Sequence, residues 1–467
     1  MKINNIYDKG ALISKHREYS LDEFNYGSEI LAEISSENSI ILVIDDKSIH
    51  STLALISVIR SRRNLILIDF NNVSRQFKEV IDSFHPDVIL SSNNAISKLG
   101  LNNEKENNLF SSISLKKNKA QEHIESDYGP IILLPTSGTS GPQKFVGLSH
   151  HNLKSNCNSI KEYLKIDQNI KCINNLPCSY SYGLSVLNTT LSAGGQFCCA
   201  EEPTIVRKTF WEDMKYFGIT SFSGVPGIYQ DLIQLNLLSL MPKSIQLLTQ
   251  AGGKLSINLQ KEILNWALIK KIKFFVMYGQ TEATARLTYL ELTAEPEKLG
   301  SVGRPIPNVN LISQFSSTGT QEKELIFKGE NISLGYFRDK EDLKNIQNTN
   351  KGVLKTGDVG FIDSDGCIFI TGRISRFAKI DGKRISLDQI ENNLKETFPD
   401  LAVVSNDQLL FILINSNEAN EIKNIKNSIK LISGIHPTKI KILSGVIPKS
   451  TNGKILYSKI LIDYVES

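Results

Sequence analysis

The sequence predicts an α/β protein built on largely parallel sheet. Short β-branched runs alternate with helix-length stretches through its first third, and the same strand-then-polar-turn pattern returns near residue 273. Ser39-Ile-Ile-Leu-Val-Ile-Asp45 reads as a buried strand and Ser51 to Arg60 as a helix. Asn64 to Asp69 is a second strand and Asp87 to Leu90 a third. Strands parted by helices of this length form βαβ units. Lys273-Phe-Phe-Val-Met-Tyr278 is a further strand, again ending at a polar turn. In open parallel sheets ligands lie outside the carboxyl ends of the strands, so functional residues are expected directly after such runs.

From about Pro307 the texture changes to short strands with Gly/Asp turns. Glu324 to Lys328 is one, and Gly360 to Thr371 is a hairpin folded around Asp363-Ser-Asp-Gly366. From Ser375 a separable segment begins, with a helix over Ser386 to Glu396, a strand over Gln408 to Asn415, a second helix and the loop Pro448-Lys-Ser-Thr-Asn-Gly-Lys454. A length of 467 residues allows about three domains, or two if one is large.

Composition narrows the class. Hydrophobic residues at 40% and charged residues at 22% exclude a disordered chain. No apolar run approaches the roughly 18 residues that span a bilayer. Met1 to Ser20 lacks the apolar block of a signal peptide, so the expected compartment is the cytoplasm, with no membrane partner. The net charge of +4 is spread along the chain without a basic stripe, and no nucleic-acid partner is expected. The six cysteines form no CxxC and the histidines no HExxH, which argues against zinc and for buried thiols. Cys178 alone falls inside a motif of interest.

Three motifs carry chemistry. Leu134-Pro-Thr-Ser-Gly-Thr-Ser-Gly-Pro-Gln-Lys144 comes after an apolar strand and precedes the helix-like Leu148 to Leu153. Gly138 and Gly141 let successive N–H groups face one way. Thr136, Ser137, Thr139 and Ser140 add hydroxyls and Lys144 a cation, a set suited to a polyphosphate. It is not a Walker A loop, because no GK[ST] occurs in the chain. Tyr278-Gly-Gln-Thr-Glu282 places an aromatic ring, a hydroxyl and a carboxylate after a strand. That set suits a Mg²⁺–phosphate complex, although on this motif alone Glu282 reads better as a helix N-terminal acid. Thr356-Gly-Asp358 and Thr371-Gly-Arg373 put an Asp and an Arg at the two ends of a hairpin, where they could bind ribose hydroxyls or pair with each other.

Taken in order, these motifs resemble those of the AMP-forming adenylating superfamily: acyl- and aryl-CoA synthetases, stand-alone adenylation enzymes and nonribosomal peptide adenylation domains. The resemblance covers nearly the whole chain. It implies a large core (1–374) of mixed, mostly parallel sheets with a small barrel-like subdomain, and a mobile α+β lid (375–467). Thr136 to Lys144 matches the family's phosphate loop, with Pro142 and Gln143 in swapped order. Pro177 to Leu184 matches the segment in which an aromatic, here Tyr180 and near it Tyr182, lies beside the acyl pocket. Ser223-Gly224 and Ala251-Gly252 match pocket-wall and adenine-site segments. Tyr278 corresponds to the adenine-stacking ring, Thr281 to a phosphate contact and Glu282 to the Mg²⁺ carboxylate. Asp358 falls at the ribose position, Arg373 at a second nucleotide contact and Lys454 at the catalytic lysine. Ser375 stands where the hinge usually has Asp or Lys.

The resemblance implies that ATP and a carboxylic acid give acyl-AMP and pyrophosphate. Transfer is then to the pantetheine thiol of CoA or of a separate carrier protein. The stretch Ser179 to Ser185 holds no acid to pair with a substrate α-ammonium, which favours an aryl or acyl acid over an amino acid. Two other classes compete. A hydrolase would need GxSxG, and Gly183-Leu-Ser-Val-Leu187 lacks the second Gly. A non-catalytic nucleotide-binding scaffold would be favoured by loss of Lys454, Glu282 or Asp358, and all three are present.

Overall fold

A computed structural model describes residues 7–37, 39–61, 63–99, 105–106, 111–114, 129, 131–136, 144–313, 322–380, 383–395, 397–398, 400–406, 408–415, 422, 424–429, 435–449 and 455–465. Strands β1 (Ile40–Asp45), β2 (Asn64–Asp69), β3 (Val88–Ser91), β4 (Ile131–Pro135) and β5 (Phe145–Ser149) form most of an eight-stranded sheet. β1 runs parallel to β2 and β3, and β2 parallel to β4, while β5 turns antiparallel to β4. All six residues of β1 are buried, as a strand covered on both faces requires. The edge beyond β5 is closed by Gly335–Phe337, which arrives from almost 200 residues later in the chain.

After β5 come helices α1 (His150–Leu164) and α2 (Ser181–Ser192). Next are three strands of a second, five-stranded sheet: β6 (Ser221–Gly224), β7 (Leu247–Gln250) and β8 (Lys273–Tyr278). β6, β7 and β8 are parallel, and the sheet ends in antiparallel Thr288–Glu291 and Arg304–Pro305. β2 and β8 have the bounds that the sequence predicts. Two starts differ. Leu148 and Ser149 belong to β5, because the Ser149 side chain caps α1 and the helix opens only at His150. The helix expected from Ser51 opens at Ile49 for the same reason, with Ser48 as its cap.

The chain divides into two compact units. One takes in the described residues up to 311 together with Phe327–Leu354, and the other those of Ile312–Ile326 and Lys355–Ser467. In the second unit β9 (Val353–Ile362) and β10 (Ile368–Arg373) form the hairpin read from the sequence. Asp358 and Arg373 lie directly opposite each other on its two strands rather than at two ends of it. The hairpin is tied to the helix C-terminal to it. The Arg373 amide donates to Asp388 Oδ2 at 3.0 Å. That helix, Leu387–Lys395, lies beside the sheet of Leu401–Ser405, Leu410–Ile414 and Ile440–Ser444. Arg376 is buried there between Asp388 at 2.8 Å and Glu391 at 3.0 Å.

Asn152, in the first turn of α1, fastens the first unit. Its Oδ1 accepts from the Ser149 amide at 2.9 Å, and its Nδ2 donates to the carbonyls of Glu330 at 2.7 Å and Ile332 at 2.9 Å. Asn152→Ala strands these backbone groups in a buried place, each costing about 1–3 kcal/mol. Urea denaturation of the variant is therefore expected to show a loss of about 3 kcal/mol, and a loss below about 0.5 kcal/mol, the scale of an ordinary surface change, would contradict the staple.

Candidate active site

The parallel register of β6, β7 and β8 puts Gly224 opposite Gln250 and Gln250 opposite Val276. Three loops, 225–226, 251–253 and 278–282, therefore leave the sheet along one edge. Thr249 on β7 is a hub beside it. Tyr182 Oη and Ser223 Oγ lie 2.8 and 2.9 Å from its Oγ1, and Tyr229 Oη donates to its carbonyl at 2.9 Å. Tyr180 stands edge-on to Tyr182, ring centroids 6.3 Å apart, and its hydroxyl lies against Gly252. A Cβ on Gly252, whose φ is +87°, would sit 2.2 Å from that hydroxyl, so only glycine admits Tyr180 there. Gly224 makes the same close approach to the Tyr229 ring, and Ala251 is buried. The six residues expected to wall the acid pocket are thus brought together.

The 278–282 motif lies next to them. Tyr278 packs near Phe327, centroids 6.4 Å apart, and Thr281 Oγ1 is 3.3 Å from Ser181 Oγ at the start of α2. Glu282 Oε1 accepts from Tyr336 Oη at 2.7 Å, and the Lys144 ammonium stands 6.0 Å from the centre of the Tyr336 ring. Burial and the Glu282 carboxylate raise the Tyr336 phenol, so it stays a neutral donor. Thr136 N donates to Lys144 O at 3.1 Å, closing the base of the expected phosphate loop. Ser137, Gly138, Thr139, Ser140 and Gly141 lie outside the described residues, as does Lys454.

In the second unit Asp358 and Arg373 pair with each other: Arg373 Nε lies 2.7 Å from Asp358 Oδ1, with Asp358 buried and Arg373 exposed. Cys178 is not an activated nucleophile, because burial and the charge of Asp45 push its thiol well up. Gly183 to Leu187 lies inside α2, and Ser185 Oγ donates to the Tyr182 carbonyl at 2.7 Å. That is not the exposed strand-to-helix turn of a hydrolase nucleophile.

Two side chains have no motif signature. Tyr336 lies outside the motifs singled out in the sequence, yet it bridges Lys144 and Glu282. Asp45, at the carboxyl end of β1, accepts from the Ser179 amide at 2.8 Å and the Lys47 amide at 2.9 Å. It thereby anchors the loop that presents Tyr180. The only hint in the sequence is an acid closing an apolar strand.

Residues 36–337 match the family model for AMP-binding enzymes, and the chain belongs to that family. It is 31% identical over 270 residues to a 2-succinylbenzoate–CoA ligase of Staphylococcus epidermidis, covering 56% of this chain and 53% of that protein. It is 29% identical over 278 residues to an oxalate–CoA ligase of Arabidopsis thaliana, covering 58% and 53%. The chain thus matches about half the length of these two relatives. A D-alanine–D-alanyl carrier protein ligase of Staphylococcus haemolyticus aligns at 24% over 401 residues, covering 84% and 80%. Among solved structures, o-succinylbenzoate CoA synthetase of Bacillus subtilis with its acyl-adenylate superposes with TM-score 0.72 at 17% identity, covering 97% and 95%. ATP-bound MatB of Rhodopseudomonas palustris gives 0.74 at 20%, covering 98% and 96%. The fold is that of these adenylating enzymes.

Burial raises the Asp45 carboxyl above its ordinary value, the backbone donors opposing the shift only in part. The native state then holds more protons than the unfolded one across the window just above the usual carboxylate range, so stability falls as pH rises through it. Asp45→Asn removes that titration. Urea melts between pH 4 and 7 are expected to show wild type losing stability relative to the variant as pH rises, and a relative gain would contradict the assignment.

Proposed function

We propose that this chain activates a carboxylic acid with ATP, giving acyl-AMP and pyrophosphate, and then passes the acyl group to the pantetheine thiol of CoA or of a separate carrier protein. The observation that carries the reading is the convergence of Lys144, Tyr336, Glu282 and Thr281 beside the Tyr180–Gly252 wall, in a member of the AMP-binding enzyme family.

A free carboxylate is a poor electrophile because hydroxide leaves badly. Its attack on the α-phosphate makes a good leaving group, and the protein's task is to hold two anions together and offset their charge. Lys144 with the loop from Thr136 would hold the departing pyrophosphate. Tyr278 would stack on adenine, and Asp358 with Arg373 would meet the ribose. Lys454 would bridge the carboxylate and α-phosphate oxygens, carried on residues 375–467 acting as a lid.

The donor set suits Mg²⁺. Tyr336 engages one oxygen of Glu282, and among the described residues no three His, Cys, Asp or Glu side chains gather as a metal cluster. A single carboxylate completed by substrate phosphates is how Mg²⁺ is ordinarily held. When bound, it offsets phosphate charge, and Glu282 would be its protein ligand.

An aryl or acyl acid without an α-ammonium fits best. Asp45 spends both oxygens on backbone amides, and Glu201 is an exposed carboxylate 3.7 Å from His16. Neither offers a buried counter-charge to an ammonium. The longer alignment with the D-alanyl carrier protein ligase favours, as the second reading, an amino-acid-activating enzyme that loads a carrier. Pyrophosphate release across a panel of acids, with and without CoA, separates these readings.

Lys454→Ala is expected to slow acyl-AMP formation by at least about 100-fold, the scale of removing one preorganised charge from a transition state. Thioester formation from supplied acyl-AMP should change far less, and equal losses in both half-reactions would refute the assignment. Glu282→Gln is expected to shift the Mg²⁺ midpoint of pyrophosphate exchange upward by about tenfold or more, the scale of one charged ligand contact. An unaltered metal titration would remove Glu282 from the site.

A further inference from the structure

One short segment holds Glu282 twice. Its carbonyl accepts from the Ser333 amide at 2.8 Å, and its Oε1 accepts from Tyr336 Oη at 2.7 Å. Among the described residues, that hydroxyl is the one hydrogen-bond partner of the Glu282 carboxylate, and no cationic side chain forms an ion pair with it. The partner is therefore neutral. A neutral donor orients a carboxylate and leaves its charge to a cation, whereas a Lys or Arg in the same place would compete with that cation.

The placing of Tyr336 is set by its neighbours rather than by the ring itself. Gly335–Phe337 runs antiparallel to β5, with Tyr336 opposite Val146. Gly335 and Phe337 are buried, so the alternation of a strand turns Tyr336 to the opposite face. Phe337 lies against Gly147, where a Cβ would sit 2.0 Å from its ring. Tyr336 is 50% exposed and fills no core. Burial of the hydroxyl and the charge of Glu282 raise the phenol, which keeps it protonated and able to donate. A single hydrogen bond between groups this open adds only modestly to stability. What it fixes is the direction of the carboxylate.

We propose that Tyr336 is a positioning residue for the metal: its hydroxyl occupies Oε1 of Glu282 and leaves Oε2 as the oxygen that meets Mg²⁺. The inference rests on the adenylation reading above and extends its metal site by a residue outside the motif. Mg²⁺ takes few protein ligands and demands near-ideal geometry, so a carboxylate fixed before the ion arrives binds it better than one free to rotate. The same strand carries the Tyr336 ring to 6.0 Å from the Lys144 ammonium, beside the base of the phosphate loop.

Calorimetric titration of the full chain with α,β-methylene-ATP, in excess Mg²⁺ and in EDTA, tests this without turnover. Wild type is expected to bind the analogue at least about tenfold more tightly with Mg²⁺, the scale of one charged contact. Tyr336→Phe keeps the ring beside Lys144 and removes only the hydroxyl. Its affinity in EDTA should match wild type, which also reports an intact fold. Its Mg²⁺ advantage should fall by about tenfold, the lower end of what losing a ligand's hydrogen-bond partner costs. The Mg²⁺ midpoint of pyrophosphate exchange should rise in step, with the KM for the acid unchanged. Placed in Glu282→Gln, Tyr336→Phe should alter neither reading further, because the hydroxyl acts through that carboxylate. Affinity lost equally in EDTA and in Mg²⁺ overturns the inference, since a merely structural hydroxyl would give that result. An unchanged Mg²⁺ advantage in Tyr336→Phe, or losses that add in the double variant, overturns it as well. Each of these leaves adenylation standing while wild type exchanges pyrophosphate with some acid. No exchange with any acid overturns both readings together.

Discussion

The return of residues 330–337 to the first unit's main sheet is the constraint on which the site depends. Asn152 grips the carbonyls of Glu330 and Ile332, the Leu334 amide donates to Gly147 O at 3.0 Å, and Gly335–Phe337 pairs with β5. On the way, Asn331 ties down the turn around Thr284, and the Ser333 amide donates to the Glu282 carbonyl at 2.8 Å. One short segment therefore joins the loop after β8 to the strand after the phosphate loop, and delivers Tyr336 between Lys144 and Glu282. The amide–carbonyl bonds among them are worth about 1 kcal/mol net each. Their effect is geometric, because together they leave the 278–286 turn one arrangement.

That turn separates two electrostatic environments. On one side Glu282, Tyr336 and Lys144 are at least partly exposed, suited to phosphates that arrive with their own counter-ion. On the other, Arg286 is sealed from water among Tyr163, Tyr182 and Ser185. A charge in the first place is partly screened, whereas in the second it retains most of its strength toward any partner brought to it. Asp45 belongs to the buried kind as well, but it is satisfied by backbone amides and serves to hold the Tyr180 loop. The contrast is one of compensation: Asp45 is met by backbone amides, whereas Arg286 is held by two hydroxyls, a thioether and a π face.

Local signals make much of this legible. The apolar blocks of β2 and β8 give their bounds because a strand buried on both faces must be apolar throughout. The helix starts differ by about two residues from their expected places, since Ser48 and Ser149 act as caps only once the backbone has turned. The motif residues Tyr180, Gly252, Tyr278, Thr281 and Glu282 stand out because each sits beside a strand end or on a glycine-bearing turn whose chemistry is short-range. Asp358 and Arg373 are legible as a pair, but their mutual ion pair depends on their register across β9 and β10.

The sequence by itself determined the α/β class and the places of several strands that end at polar turns, because periodicity and turn chemistry act over a few residues. Only the tertiary structure decided the partners of Tyr336, Asp45, Asn331 and Arg286, since each depends on a contact between segments 45 to 192 residues apart, among them Arg286 with Ser185, Asp45 with Ser179 and Lys144 with Tyr336. No local pattern encodes such a meeting. It arises from the sheet register and from where buried polar groups find each other once water has left.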